Sequence, residues 1–166
     1  GHRLMSSEGS VKSAFQFITY KIDRFSLESQ TLVDLVKVRI ADEKFWKADY
    51  GFRTPYFFKQ RKEYVGGINL RLQLFDKPSE EAQEEDEPLV KLEAGIVGIF
   101  SVDNERLPSQ TEENMVKHIL PAILMPYLRA AVTSFLANAG WPGVFLPLVN
   151  MYEMAKEAEL DIEEVD

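Results

Sequence analysis

The sequence predicts an α+β fold: a four-stranded antiparallel β-sheet with a long and a short C-terminal helix packed on one face. Three observations carry that expectation. Apolar residues alternate with period two in several segments before residue 103. A strongly apolar stripe with helical spacing runs from Leu124 to Leu136. The strand-like segments all precede the helical ones, and that order separates helices from sheet rather than interleaving them. A chain of 166 residues makes one domain with a sizeable core. The expected limits are a frayed stretch at 1–10 with Gly1-His2 as a tag remnant, a single domain over 11–160, and an acidic tail at 161–166.

Residues 13–25, SAFQFITYKIDRF, are rich in β-branched and aromatic side chains and read as a strand. Simple alternation places Ile18, Tyr20 and Ile22 on one face and Phe15 and Phe17 on the other, so cover on both sides is expected at its start. Residues 32–41 set Val36, Val38 and Ile40 against Lys37 and Arg39, a strand with one wet face. In residues 42–63, Phe45, Trp46, Tyr50, Phe52, Tyr56, Phe57 and Phe58 lie among charges, with Gly51 and Pro55 as breakers. No single period fits them, so a long loop is expected, with a strand segment at Tyr56–Lys59. Residues 65–75 alternate cleanly, with Ile68, Leu70, Leu72 and Leu74 inward and Asn69, Arg71 and Gln73 outward.

Six acids between Glu80 and Glu87 read as a solvated connection held apart by self-repulsion. Residues 89–102 form the last strand, with Val90, Leu92, Ala94, Ile96, Phe100 and Val102 sharing a face. The other face begins wet, at Lys91 and Glu93, and ends apolar, at Val97 and Ile99. Ser109-x-x-Glu112 has the capping-box pattern and opens a helical lead-in. Pro121 and Pro126 lack an N–H, so a bend is expected before one helix from about Pro126 to Ala139, stopped by Gly140 and Pro142. This helix is apolar over more than one stripe. Leu124, Tyr127, Leu128, Ala131, Val132 and Phe135 are therefore expected at a subunit interface. A short helix follows, MYEMAKEAEL.

A net charge of −8 argues against nucleic acid and against an anionic membrane surface. No proline-free run of about 18 apolar residues is present, so neither a spanning helix nor direct membrane insertion is expected. No signal peptide is read at the start. The absence of cysteine excludes disulfides and thiolate metal sites and is compatible with a reducing cytoplasm.

Candidate chemistry is sparse. His118, beside Lys117, has no recognisable nucleophile or orienting acid in the sequence and reads as a helix-surface histidine. One usable histidine without cysteine makes no zinc site. Gly95-x-x-Gly98 lies in a strand and lacks the Lys-Ser/Thr pair of a phosphate loop; a bulge or close backbone packing explains it better. The acidic run lacks the alternation and glycine of a calcium loop. No catalytic residue, metal or cofactor is expected, and the chain is not read as an enzyme.

The aromatic stretch from Phe45 to Tyr64 has three readings. The rings pack as a satellite core beneath their loop. Together with Lys44, Lys47, Arg53, Lys59, Arg61 and Lys62 they bind single-stranded nucleic acid, which the acidic balance of the rest opposes. Or they line a groove for extended apolar polypeptide, where rigid aromatics give tolerant contact area.

Pro121-x-Ile123-Leu124-x-Pro126-Tyr127-x-Arg129, Val132-Thr133-Ser134-Phe135-Leu136 and Gly140 resemble the first helix of the SecB export chaperones. Trp141-Pro142, Leu146, Leu148-Val149-Asn150 and Gly98-Ile99-Phe100-Ser101-Val102 fit the same pattern. The resemblance spans about Gly98 to Met154 and points to a divergent branch of a SecB-like superfamily. It implies a homo-oligomer, a dimer or a tetramer built as a dimer of dimers, with the long helices in the interface. It also implies a client groove between a long loop and the segment joining the two helices, which by position is Trp141, Val144, Phe145 and Leu146. The polypeptide-binding residues expected are therefore Phe45, Trp46, Tyr50, Phe52, Tyr56, Phe57, Phe58, Trp141, Val144 and Phe145. The activity implied is that of an ATP-independent holdase for unfolded or secretory polypeptide, with the SecA motor as a further candidate partner. The alternative is a SecB-like scaffold dedicated to one protein partner, such as a toxin–antitoxin component.

Overall fold

The computed structural model describes residues 15–30, 43–102, 108–141, 143–144 and 146–166. The expected strand at 32–41 and residues 1–10 lie outside them. The strands are β1 (Phe15–Ser29), β2 (Trp46–Phe52), β3 (Tyr56–Phe58), β4 (Glu63–Leu74), β5 (Val90–Val102) and β6 (Glu163–Val165). The helices are α1 (Ser109–Asn114), α2 (Leu120–Asn138) and α3 (Met151–Glu157). β1 pairs with β5 and β5 with β4; the far edge of β4 takes β3 and then β2, and β6 lies beyond β3. All pairings are antiparallel except β3–β6, which is parallel. The fold is the α+β arrangement expected, with more than four strands in the sheet.

Residues 43–63 are not a long loop. After a short 3₁₀ turn at Glu43–Phe45 they form β2 and β3, which share one lane of the sheet beside β4. Arg53 N–H still donates to Gly67 O across the break. The alternation was hidden because its phase flips at Arg53–Pro55. Trp46, Ala48, Tyr50 and Phe52 pair opposite Leu74, Leu72, Leu70 and Ile68 on the inward face. In β3 the inward residue is Phe57, opposite Tyr64, while Tyr56 and Phe58 fall on the outer face with Val65 and Glu63.

β1 corrects a second expectation. Its register with β5 slips between Phe17 and Thr19 and again between Ile22 and Arg24. A bulge inserts one residue and restores the next side chain to the same face. Phe15, Phe17, Tyr20, Ile22, Phe25 and Leu27 therefore all lie on the face of Val102, Phe100, Gly98, Ile96, Ala94 and Leu92. Ile18, at the first slip, is 52% exposed.

α2 covers this face. Leu120, Leu124, Leu128, Val132 and Leu136 are buried against Ile68, Leu72, Leu92, Ile96 and Phe100 in one cluster. Helix and sheet meet closely because Gly66 and Gly98, paired across β4 and β5, present no side chain. A Cβ on Gly66 would stand 2.9 Å from Leu120, and one on Gly98 2.6 Å from Leu124. Close packing is thus what Gly98 serves.

The proline bend also differs from expectation. α1, a π turn at Met115–Ile119 and α2 run on as one helical rod through both prolines. Pro121 sits in the first turn of α2, just after the π turn. A wider turn removes the need for the N–H that proline lacks and relieves its clash with the preceding turn. By length and hydropathy the rod Ser109–Asn138 would suffice to cross a membrane. Its leucine stripe is instead part of the core against the sheet.

The capping box is not formed. Pro108 occupies the N-cap without a side-chain bond, and Glu112 is buried, accepting from the Tyr64 hydroxyl at 2.9 Å. α3 is capped by Asn150, whose side chain accepts from Glu153 N–H. The acidic connection is partly ordered: Asp86 accepts from Gln83 N–H at 2.8 Å and pairs with Lys77 at 3.0 Å.

Candidate functional site

α2 presents two flanks to the rest of the chain. On the β1 side, Tyr127, Ala131 and Phe135 stand over the apolar row of β1. Tyr20 meets Tyr127 with ring centroids 4.4 Å apart, and Phe25 meets Phe135 at 4.1 Å. Phe17 reaches Tyr127 edge-on at 5.6 Å. These rings are not covered: Tyr20 and Tyr127 are each 39% exposed and Phe135 is 44% exposed. Between them Ile22, Phe25, Leu27, Ala131 and Phe135 line an open depression of about 530 Å³ without a charged wall.

The expected interface residues therefore divide. Tyr127, Ala131 and Phe135 lie on this open flank, whereas Leu124, Leu128 and Val132 are fully buried beneath the helix on its own sheet. A buried stripe cannot also meet a second subunit. Sequence reasoning missed the β1 half of the strip, Tyr20, Ile22, Phe25 and Leu27. A signal was there: the apolar positions 15, 17, 20, 22, 25 and 27 step by two and three in turn, as a twice-bulged strand requires.

The other flank faces β2. Trp46, Ala48, Tyr50 and Phe52 are half-buried and pack against the core. Burial raises the Tyr50 phenol pKa, and the nearby Arg129 charge opposes the rise. The Tyr50 hydroxyl and Arg129 Nε are both buried without a hydrogen-bond partner.

The ten residues expected to bind polypeptide do not form one surface. Trp46, Tyr50 and Phe52 share the inward face of β2, and Phe45 lies at its start, its carbonyl accepting from Phe75 N–H. Phe57 is buried on Tyr64 with centroids 4.5 Å apart. Tyr56 and Phe58 occupy the opposite face, Tyr56 exposed and Phe58 beneath the Arg61 guanidinium. Beyond α2, Trp141 and Val144 are buried, and Phe145 lies outside the described residues.

The outer face of the sheet carries a polar clasp. Arg53 lies across Gly67 and Gly95, donates to Asn69 Oδ1 at 3.0 Å and grips Asp23 through two bonds of 2.6 and 2.7 Å. The Arg53 bond holds the Asp23 carboxyl below the usual carboxylate range. Arg53 stands at the end of β2 and Asp23 at the second bulge of β1, so the clasp spans the sheet. It covers part of the half-wet face of β5.

His118 is not a plain surface histidine. Its Nδ1 lies 2.8 Å from Asn114 Oδ1, which also accepts from the Tyr152 hydroxyl of α3 at 3.2 Å. Burial, with Lys156 and Lys117 nearby, lowers its pKa. No group of three or more metal-ligating side chains occurs among the described residues.

The fold and its open aromatic flank define a scaffold of the SecB kind, a helix laid on a largely antiparallel sheet with apolar surface to offer. The family model of the preprotein translocase subunit SecB matches residues 69–159, more than half of the chain. The chain belongs to the SecB family. It is 33% identical over 87 residues to the protein-export protein SecB of Nitrosomonas europaea, covering 51% of this chain and 53% of that protein. With the SecB of Methylibium petroleiphilum it shares 38% over 76 residues, 44% of this chain and 45% of that protein. It thus spans about half the length of the curated relatives it matches. The fold is similar to that of the Mycobacterium tuberculosis SecB-like chaperone, solved in complex with a ChAD peptide from the HigA1 antitoxin. The TM-score is 0.56 at 11% identity, over 85% of this chain and 94% of that one.

Proposed function

We propose that this protein is an ATP-independent chaperone that holds unfolded or secretory polypeptide in the cytoplasm. Its affinity comes from apolar contact along the β2 flank of α2. The observation that carries this reading is the half-buried row Trp46, Tyr50 and Phe52 beside α2. Rings give tolerant contact, so one surface accepts many sequences. Membership of the SecB family supports the same reading. Phe45, Tyr56 and Phe58 extend the candidate surface. Phe57, Trp141 and Val144 support it from within, being buried.

The open β1 flank we assign to self-association as a dimer or tetramer. Tyr127, Ala131 and Phe135 with Tyr20 and Phe25 supply the rigid apolar anchors such interfaces use. SecA stands as a candidate downstream partner on family likeness alone. The second reading, a scaffold dedicated to one partner, is favoured by the structural neighbour, which was solved with a peptide from an antitoxin.

Dilution of a chemically unfolded, unrelated protein without ATP separates the two readings. A holdase suppresses light scattering at near-stoichiometric amounts, and Trp46→Ala/Phe52→Ala weakens the suppression while the far-UV spectrum holds. Aggregation regardless of dose leaves the dedicated scaffold.

A further inference from the structure

Without β6, β3 would be the outermost strand at its corner of the sheet, and an outermost strand offers unpaired N–H and C=O groups to any extended chain. Here β6 fills that place. Glu163 N–H donates to Pro55 O at 2.9 Å, and Lys59 N–H donates to Val165 O at 3.0 Å. The pairing is three residues long and parallel, with Tyr56, Phe57 and Phe58 opposite Glu163, Glu164 and Val165. Lys59 adds ion pairs to Glu164 at 3.1 Å and Asp166 at 3.9 Å. Those carboxylates are 61% and 95% exposed, and pairs so exposed hold weakly. Ile162, half-buried on the core, is the chief apolar anchor. The segment is thus a short guest strand on β3, which carries three of the aromatic residues considered above.

We propose that the outer edge of β3 is a strand-addition site, that β6 is its resident self-ligand, and that an extended acidic peptide segment of a partner displaces it. The inference rests on the reading that this protein binds extended polypeptide. The occupant is specified by what β6 presents: an apolar residue for the Ile162 position, then acids for Lys59. Backbone pairing supplies the affinity, and the side chains supply the choice, as in other strand-addition sites. β6 on its edge limits access, and its release uncovers the edge beside Tyr56 and Phe58.

The test uses a fluorescein-labelled synthetic peptide with the sequence of residues 160–166, titrated by anisotropy into the full chain. Glu163→Pro/Glu164→Lys removes the donor to Pro55 and reverses the charge that meets Lys59. This variant should bind the peptide about tenfold more tightly than the unaltered chain. Adding Lys59→Glu should abolish the gain. Equal affinity for variant and unaltered chain, or a gain that survives Lys59→Glu, overturns the proposal. If the variant does not fold, hydrogen exchange on the unaltered chain decides. The Lys59 amide should exchange about tenfold or more faster than amides in the centre of β4, by opening of β6 alone. Equal protection overturns the proposal. A chain that takes the peptide but fails to suppress aggregation loses the holdase reading and keeps this site. A chain that suppresses aggregation without the peptide gain does the reverse.

Discussion

The two flanks of α2 share one stripe of leucines beneath them and end differently. Toward β1 the helix offers Tyr127 and Phe135, each with a ring partner from its own strand and still about two-fifths exposed. Toward β2 it offers Met125, buried, and Arg129, whose Nε is buried beside Tyr50. One flank is apolar and open, the other is more enclosed and holds polar atoms without partners. The first suits cover by another copy, because the Tyr20 and Tyr127 hydroxyls are its chief polar groups and the rest is apolar. The second, half-buried and lined by rings, suits a guest that comes and goes. On the function proposed above, a helix apolar on more than one stripe has two distinct uses for its surplus.

The largest effect should come from the shared stripe. Leu128 is fully buried, and Leu128→Ala removes its contacts and leaves a cavity, at about 2–5 kcal/mol. Urea unfolding at several protein concentrations checks this. Phe135→Ser on the open flank should cost the fold about 1 kcal/mol or less. It should lower the sedimenting mass, which Leu128→Ala in a folded sample should not. If Phe135→Ser unfolds the chain as Leu128→Ala does, the distinction between stripe and open flank is lost.

A smaller effect sharpens the other side. A buried hydroxyl without a partner costs about 1–3 kcal/mol of desolvation. Tyr50→Phe removes that group and keeps the ring, so the urea midpoint should stay or rise, by about 1 kcal/mol at most. A fall of that size would mean that the hydroxyl is bonded in solution and that this flank is as finished as the core.

Much of the fold could be read from the chain. β4 and β5 alternate without interruption, and alternation names their large inward residues from Ile68 to Leu74 and from Val90 to Val102, though not Tyr64. α2 was recognised by its stripe. What the sequence concealed has a common physical cause, a change of phase. Two bulges turn β1 so that residues of both parities face the helix, and simple alternation then splits one row into two faces. The break at Arg53–Pro55 does the same to β2 and β3, making strands look like an aromatic loop. The clasp was invisible for another reason: it joins residues thirty apart across four strands, and no local pattern foretells it. The buried pairing of Glu112 with Tyr64 overrode a local cap in the same way. The candidate binding surface was legible only as a list of rings, because alternation assigns faces only once the register is known.

The smallest prediction tests whether the sheet that carries both flanks is held from outside. Asp23 has a lowered pKa, first because Arg53 hydrogen-bonds to its carboxylate, with burial opposing and the Arg53 charge adding. A carboxylate whose folded pKa lies below its unfolded value of 3.8 binds fewer protons folded than unfolded. Its contribution to stability is therefore complete above that unfolded value and disappears as pH falls through the lower folded one. Asp23→Asn should lower the urea midpoint at neutral pH, and the gap to the unaltered chain should close only in strong acid. Exposure keeps the gap small, since Asp23 is 40% exposed and exposed pairs are screened. Salt should narrow it further. The comparison between flanks gains a control here: the clasp touches neither α2 flank, so Asp23→Asn should leave the sedimenting mass unchanged. A change in mass would mean that the bulged edge of β1, and with it Tyr20 and Phe25, takes its position from Arg53.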